Sequence, residues 1–398
     1  MTRRLLLLIN SLEGGGAEKV MVSLADHLAQ RGDDWELCLA TLDDYPDAYQ
    51  LSHRVERVRL DCRQSLRRSV SGVRRLIADR RPDVVLSFLT RANCAALLAR
   101  RQADFRCVVS ERVHTTSHLG SGLRAGVMRS VVRRLYPRAD GVIAVSRGVA
   151  ADLSGRYRVP AGRIATIHNP VFTAALRQLG QEAPQIALPA DYFVAVGRLV
   201  PNKGGETLLR AFAAHANRDR ALVLLGEGPE RARLETLAAE LGIADRLHMP
   251  GFVGNPQAVV ARATAYVSAS RSEGFPNALV EAMALGRAVI STDCASGPSE
   301  ILAGTPRGAV QEMQVAHSGI LVPVDDAPQL TRGMDLMDDA AFRQDCAARA
   351  LDRVGAYAPE TIFRQYESVL TAGHRAAAPS AAAPRVCGSS QAVAPRQR

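Results

Sequence analysis

Leu5-Leu6-Leu7-Leu8-Ile9-Asn10-Ser11-Leu12-Glu13-Gly14-Gly15-Gly16-Ala17-Glu18-Lys19 holds one unit of the fold in miniature. Residues 5–9 read as a strand, and the glycines lead into a helix over 17–31. The apolar run is too short to span a bilayer. Arg3 and Arg4 precede it, but a signal peptide needs a longer apolar region and a small-residue cleavage site. The alternation then repeats, with strands at 36–41, 84–88, 107–110 and 141–145 and helices at 66–80, 93–101, 123–135 and from 147. This is a doubly wound α/β pattern. It restarts after a Pro-, Gln- and Ala-containing stretch, with strands at 193–196, 222–225, 247–249, 265–268, 288–291 and 319–322.

Two Rossmann-like domains in tandem follow: residues 1–172, a linker over 173–190, and 191–357. A final helix lies within 358–373, and the Ala-, Pro- and Ser-rich tail 374–398 is expected to be disordered. A chain of 398 residues, 47% hydrophobic and 23% charged, is long enough for two such cores. Ligands of open α/β sheets bind at the carboxyl ends of the strands, so two domains facing across a cleft suit the joining of two substrates.

The seven cysteines are scattered and never spaced Cys-x-x-Cys, so neither a disulfide framework nor a zinc site is expected, and a reducing cytoplasm fits. The net charge of +10 is unevenly placed. Residues 63–81 carry seven arginines against Asp79, and residues 100–138 carry nine against Asp104 and Glu111. Solvated helix faces and a front half lying on an anionic surface both fit. Aromatic residues are only 5% and do not interleave with the basic stretches, which argues against nucleic acid as a partner. Lys19 and Lys203 are the only lysines, and both belong to glycine-rich loops where a compact point charge has a use that a planar guanidinium cannot meet.

The loop Glu13 to Lys19 lets backbone N–H groups of Gly15 and Gly16 approach an anion at a helix N-terminus, although a tight turn without ligand has the same residues. It is not a dinucleotide fingerprint, since the third glycine would fall on Lys19. In Gly197-Arg198-Leu199-Val200-Pro201-Asn202-Lys203-Gly204, two cations follow a strand, as a diphosphate leaving group would need in a sequence without a metal cluster. The densest signal is Ser270-Arg271-Ser272-Glu273-Gly274-Phe275-Pro276-Asn277-Ala278-Leu279-Val280-Glu281-Ala282-Met283. Pro276 is placed to start a helix that Gly286 stops. Free N–H groups of its first turn can hold phosphate. Glu273 then lies near a sugar, and Glu281 can accept two hydroxyl protons from a ribose. The alternative is a capping carboxylate and a surface helix residue.

These segments together resemble the family 4 retaining glycosyltransferases of the GT-B fold over about residues 5–370. The Glu-x7-Glu signature matches Glu273 and Glu281, Gly-Arg-Leu…Lys-Gly matches Gly197 to Leu199 with Lys203 and Gly204, and the first glycine loop matches Gly14 to Glu18. The resemblance implies that Arg198 and Lys203 bind the donor diphosphate, Glu273 contacts the donor sugar and Glu281 the ribose. Asn277 and its neighbours Gly274, Phe275, Ala278 and Leu279 would lend backbone donors, while Pro276, which has no N–H, would line the same donor site. The last helix would cross back onto the first domain. Arg198, Lys203 and Glu273 are the expected catalytic residues, with no metal site, no tightly bound cofactor and a nucleotide sugar, UDP-linked by preference, as donor.

Shorter segments resemble bacterial members that extend lipid-linked or capsular glycans: Gly-Gly-Ala-Glu, Pro82 to Phe88, Ser110-Glu111-Arg112, and Ser291 to Ile301. A lipid-linked or polysaccharide acceptor is the implied partner. Leu119, Leu123, Val127, Val131 and Leu135 repeat every four residues among Arg124, Arg129, Arg133 and Arg134, as in an interfacial helix at the inner membrane face or in a core helix. Glu111, Arg112, His114 and Arg124 are the expected acceptor-side residues. His168-Asn169 marks the domain junction at the cleft's border. A phosphorylase would need Lys203 for pyridoxal phosphate; a sugar-nucleotide epimerase shares the two-domain cleft.

Overall fold

A computed structural model describes residues 2–100, 104–120, 122–307 and 310–372. The tail expected at 374–398 lies outside the described residues. The first domain runs β1 (Arg3–Ile9), α1 (Gly16–Gln30), β2 (Trp35–Thr41), β3 (Val55–Arg59), α2 (Leu66–Arg80), β4 (Val84–Phe88), α3 (Thr90–Ala99), β5 (Arg106–Glu111), α4 (Thr115–Leu119), α5 (Leu123–Leu135), β6 (Gly141–Ala144), α6 (Arg147–Tyr157) and β7 (Ile164–Thr166). α7 (Thr173–Gln181) leads into the second domain: β8 (Tyr192–Val196), α8 (Gly205–Ala214), β9 (Ala221–Leu225), α9 (Arg231–Glu240), β10 (Leu247–Gly251), α10 (Pro256–Val260), β11 (Ala265–Ser268), α11 (Asn277–Ala284) and β12 (Ala288–Thr292). α12 (Pro298–Leu302), β13 (Gln314–Ala316), β14 (Gly319–Val322), α13 (Ala327–Leu336), α14 (Ala340–Val354) and α15 (Pro359–Thr371) complete the chain.

The first sheet is ordered β3-β2-β1-β4-β5-β6-β7 and the second β10-β9-β8-β11-β12-β14-β13. The first is parallel throughout; in the second only the short edge strand β13 runs antiparallel, against β14. Side chains along β1 alternate between two faces as the pleat requires, and both faces are buried from Leu5 to Ile9. Leu5, Leu7 and Ile9 pack with α1 and α15, whereas Leu6 and Leu8 pack with α2, α3, α5 and α6. The order reverses between β1 and β4 and again between β8 and β11, and a crevice opens at each switch point. The Gly14–Gly16 loop therefore meets one crevice, and the 197–204 and 270–276 loops meet the other.

Two features join the halves. The stretch expected as a linker contains α7, whose Leu176 is buried against α10 and α11 of the second domain. Proline and glutamine content had masked a short amphipathic helix. α15 crosses onto the first domain: Ile362, Phe363, Tyr366 and Leu370 enter its core beside β1 and β4. Tyr366 Oη also accepts from the Arg112 guanidinium at 2.6 Å. Tyr366→Phe should cost roughly 2 kcal/mol, the worth of a hydrogen bond to a buried charge. Phe363→Ala should cost about 3–5 kcal/mol through cavity formation. Denaturant unfolding of the two variants measures both.

Candidate functional site

The 270–276 loop and the 197–204 loop leave neighbouring strands and are stitched together by Arg271 N–H donating to the Asn202 carbonyl at 2.8 Å. Across this seam Lys203 Nζ donates to Glu273 Oε1 at 2.6 Å, and Ser270 Oγ donates to the same oxygen at 2.7 Å. Ser296 Oγ donates to the Glu273 carbonyl. Glu273 is thus held in one orientation through Lys203 and Ser270, which with Gly197 and Arg198 help to line a hollow open to solvent. Arg198 is exposed there, and among the described residues its guanidinium makes no hydrogen bond or ion pair. The site pairs one neutralised cation with one available cation.

α11 begins right after this loop. No side chain caps it; the Leu279 and Val280 N–H groups donate to the Pro276 carbonyl at 3.1 and 3.3 Å, which leaves those of Asn277 and Ala278 for an outside acceptor. Asn277 Oδ1 accepts from Asn169 Nδ2 at 2.6 Å, and a Cβ on Gly16 would fall 2.2 Å from Asn277 Nδ2. A Cβ on Gly274 would fall 2.2 Å from the Arg112 carbonyl. Glycine at both positions lets the domains close on each other at the head of α11. One turn on, Glu281 accepts from Lys19 Nζ at 3.4 Å across the cleft and from Gln257 Nε2 at 3.3 Å within its own domain.

Some expected donor residues have no side-chain surface for a ligand. Leu279 is in the core, and the Phe275 ring is buried between His168 and Tyr357, centroids 5.5 and 5.3 Å away. Gly15 caps α1 without a side-chain bond, and the Glu18 carboxyl folds back against it. Burial raises the pKa of that carboxyl. Among the described residues, no group of three or more His, Cys, Asp or Glu side chains is arranged to hold a metal ion.

This arrangement matches known proteins in both halves. Residues 14–175 match Glycosyltransferase Family 4, and residues 181–352 match Glycosyl transferases group 1. The two matches together make the chain a family 4-like glycosyltransferase. It is 27% identical to an N-acetylgalactosamine-N,N'-diacetylbacillosaminyl-diphospho-undecaprenol 4-alpha-N-acetylgalactosaminyltransferase of Campylobacter jejuni, over 91% of this chain and 98% of that one. It is 25% identical to the lipopolysaccharide core biosynthesis glycosyltransferase LpsE of Rhizobium meliloti, over 89% and 96% respectively. HepE of Anabaena, solved in complex with UDP-glucose, superposes with a TM-score of 0.74 at 19% identity, over 93% of this chain and 99% of HepE. That likeness establishes the GT-B fold of this glycosyltransferase.

The acceptor-side expectations are redistributed by the structure. Glu111 is fully buried: Tyr136 Oη donates to it at 2.6 Å and Thr90 Oγ1 at 3.3 Å. Arg112 is also buried, and its guanidinium serves Tyr366, Asn169 and the Phe88 ring. Neither side chain has surface to offer an acceptor, because the 110–112 motif ends β5 inside the domain junction. His114 Nδ1 lies 2.8 Å from Ser117 Oγ, with Asp152 behind the ring. Burial holds its pKa below the usual histidine value, Arg156 and Arg307 add to that, and Asp152 opposes it. His118, which the sequence reading passed over, stands at the end of α4 and feels Arg198 across the cleft. Its pKa is lowered first by burial and then by that charge. Its signal in the sequence was only its position before Gly120 and Gly122. Arg124 is exposed on α5, away from any ion pair among the described residues.

Desolvation pushes the Glu111 carboxyl up to about 7. The folded protein therefore binds this proton more tightly than the unfolded chain, where a glutamate titrates near 4.3. Its contribution to stability is complete below about pH 4 and is lost as pH rises through about 7. Glu111→Gln should flatten this loss. Unfolding free energies measured from pH 4 to 8 should show the variant gaining on the parent by roughly 3–4 kcal/mol over the range.

Proposed function

We propose that this glycosyltransferase moves a hexose or N-acetylhexosamine, with retention at the anomeric carbon, from a nucleotide sugar to a lipid-linked or polysaccharide acceptor in bacterial surface glycan synthesis. The single observation that carries the donor reading is the seam between two loops: Glu273 held by Lys203 at 2.6 Å, with Arg198 free beside it. Two cations at one strand end suit a leaving diphosphate, whose charge grows as the glycosidic bond breaks. Glu273, fixed by Ser270 and Lys203, takes sugar hydroxyls rather than attacking carbon. Glu281 takes the ribose diol. The bond from the anomeric carbon to phosphate oxygen breaks and the nucleoside diphosphate leaves with the electron pair. The acceptor oxygen forms its bond on the same face, and its proton passes to the departing phosphate. Fixed cations do the electrostatic work, so turnover is expected to survive chelators, with no tightly bound cofactor.

The two named relatives, which act on a diphospho-undecaprenol glycan and on lipopolysaccharide core, support an acceptor of this kind. α5 supports delivery at a membrane. Leu123 is 91% exposed and Val127 66% exposed on one side of the helix, with Arg124, Arg133 and Arg134 exposed around them. Apolar side chains flanked by guanidinium groups suit an anionic lipid surface. No helix among the described residues is long and apolar enough to cross a membrane. The interface would be peripheral, at the inner face of the cytoplasmic membrane, with no role for nucleic acid.

Two experiments test this. Alanine at Arg198, Lys203, Glu273 or Glu281 should each lower transfer from a UDP-, GDP- or ADP-sugar by about a hundredfold or more, a scale typical of lost transition-state charge stabilisation. Near-normal turnover in all four sinks the donor assignment. The pair Leu123→Gln and Val127→Gln should weaken binding to phosphatidylglycerol-containing vesicles at least about tenfold, given about 1.5–3 kcal/mol for a buried aliphatic side chain. Unchanged vesicle binding, or equal binding to duplex DNA, rejects the membrane reading.

A further inference from the structure

Glu281 stands on α11 with its carboxylate between two donors from different domains. Gln257 Nε2 at the start of α10 donates to Oε2 at 3.3 Å, and Lys19 Nζ in the first turn of α1 donates to Oε1 at 3.4 Å. The pair borders a hollow with about 390 Å³ of empty space, lined also by Gly16, Asn169, Phe172 and Asn277. Lys19 is 43% exposed and Glu281 27% exposed, so solvent screens their attraction and it contributes little to holding the domains together. Its placement has another consequence. A carboxylate that must accept two hydroxyl protons needs its plane fixed, and the last torsion of a glutamate is otherwise broad. Each neighbour takes one oxygen and leaves that oxygen a further acceptor position.

We propose that Lys19 is a positioning residue of the donor site: reaching from the opposite domain, it fixes the Glu281 carboxylate for a ribose diol and makes nucleotide binding depend on the two domains being together. The proposal rests on Glu281 being the ribose ligand. It also gives a reason for a lysine at this position in a chain with 50 basic residues of which two are lysine. An ammonium touches one oxygen as a point charge, whereas a guanidinium forks across both and would take the positions a diol needs.

The full-length chain is titrated calorimetrically with UDP, GDP and ADP, and the tightest of the three serves as probe for Lys19→Met, Lys19→Gln, Lys19→Arg, Glu281→Ala and the double variant Lys19→Met/Glu281→Ala. Thermal melts identify any variant that has not folded. Lys19→Met and Lys19→Gln should each raise Kd about tenfold, and Lys19→Arg should not restore it. In the Glu281→Ala background, Lys19→Met should change Kd by less than about twofold, as coupled positions do. Parent-like binding by Lys19→Arg, or an equal loss from Lys19→Met in both backgrounds, overturns the proposal while leaving the donor site standing. Unchanged binding by Glu281→Ala, or binding of none of the three nucleotides, overturns the ribose reading and the proposal with it.

Discussion

Arg112 carries a positive charge into an interior where, among the described residues, no carboxylate lies within ion-pair distance. It is only 7% exposed. Such a charge is tolerated where neutral acceptors and a ring face replace water, and Arg112 finds Tyr366 Oη, Asn169 Oδ1 and the face of Phe88 at 4.7 Å. Each of these partners belongs to a different part of the chain. Tyr366 is on the returning helix, Asn169 at the junction and Phe88 at the end of β4. Asn169 then passes its own N–H to Asn277 at the head of α11. The cost of burying one guanidinium is offset only when the first domain, the junction and α15 are all in place. The head of α11, from which Glu273 and Glu281 extend in opposite directions along the chain, is fixed by the same contacts.

The polar groups around that head divide by charge. Lys203 and Glu273 compensate each other at 2.6 Å, and Lys19 and Glu281 do so at 3.4 Å. Arg198 is left over. An arriving dianion therefore meets one cation that needs no partner exchanged and a second that must be shared with Glu273. Sharing is cheaper than stripping, because the ammonium of Lys203 has three donors and Glu273 retains Ser270 Oγ. A guanidinium at 203 would engage Glu273 through two fixed N–H groups and present fewer to a phosphate.

Strands with continuous apolar runs were readable because parallel sheets bury both faces, and the residues at 5–9, 84–88 and 288–291 announce themselves. β3 was not, because Glu56 and Arg59 on an edge strand point to solvent, and Arg57, paired with Asp47, also spoils the apolar pattern. The loops of the proposed donor crevice were legible because their glycines, cations and carboxylates cluster in sequence as well as in space. The acceptor side failed for the opposite reason. Whether Arg112 faces a cleft or a core depends on α15, more than 240 residues away, and Glu111 is enclosed by Tyr136 and Thr90; nothing local to Ser110-Glu111-Arg112 encodes either. His118 was likewise invisible, since its charge environment comes from Arg198 in the other domain.

The second contact between the domains is of a different kind from the Arg112 relay. Glu300 at α12 accepts from the backbone N–H groups of Arg147 and Gly148 at 2.7 and 2.8 Å, so a carboxylate of one domain caps a helix of the other. Burial works against ionising it, but these two donors and His168, 3.5 Å away, outweigh that and keep its pKa below the usual carboxylate range. His168 also stacks on Phe275, next to Glu273 and Gly274. A cation anchors the junction on one side and an anion on the other, each satisfied mainly by neutral groups. Opening the cleft at either point would expose a polar group that is now paired to backbone or amide across it. The domains are thus held by short directional bonds around the 273–281 segment, and the geometry of the proposed donor site is set by the closure itself.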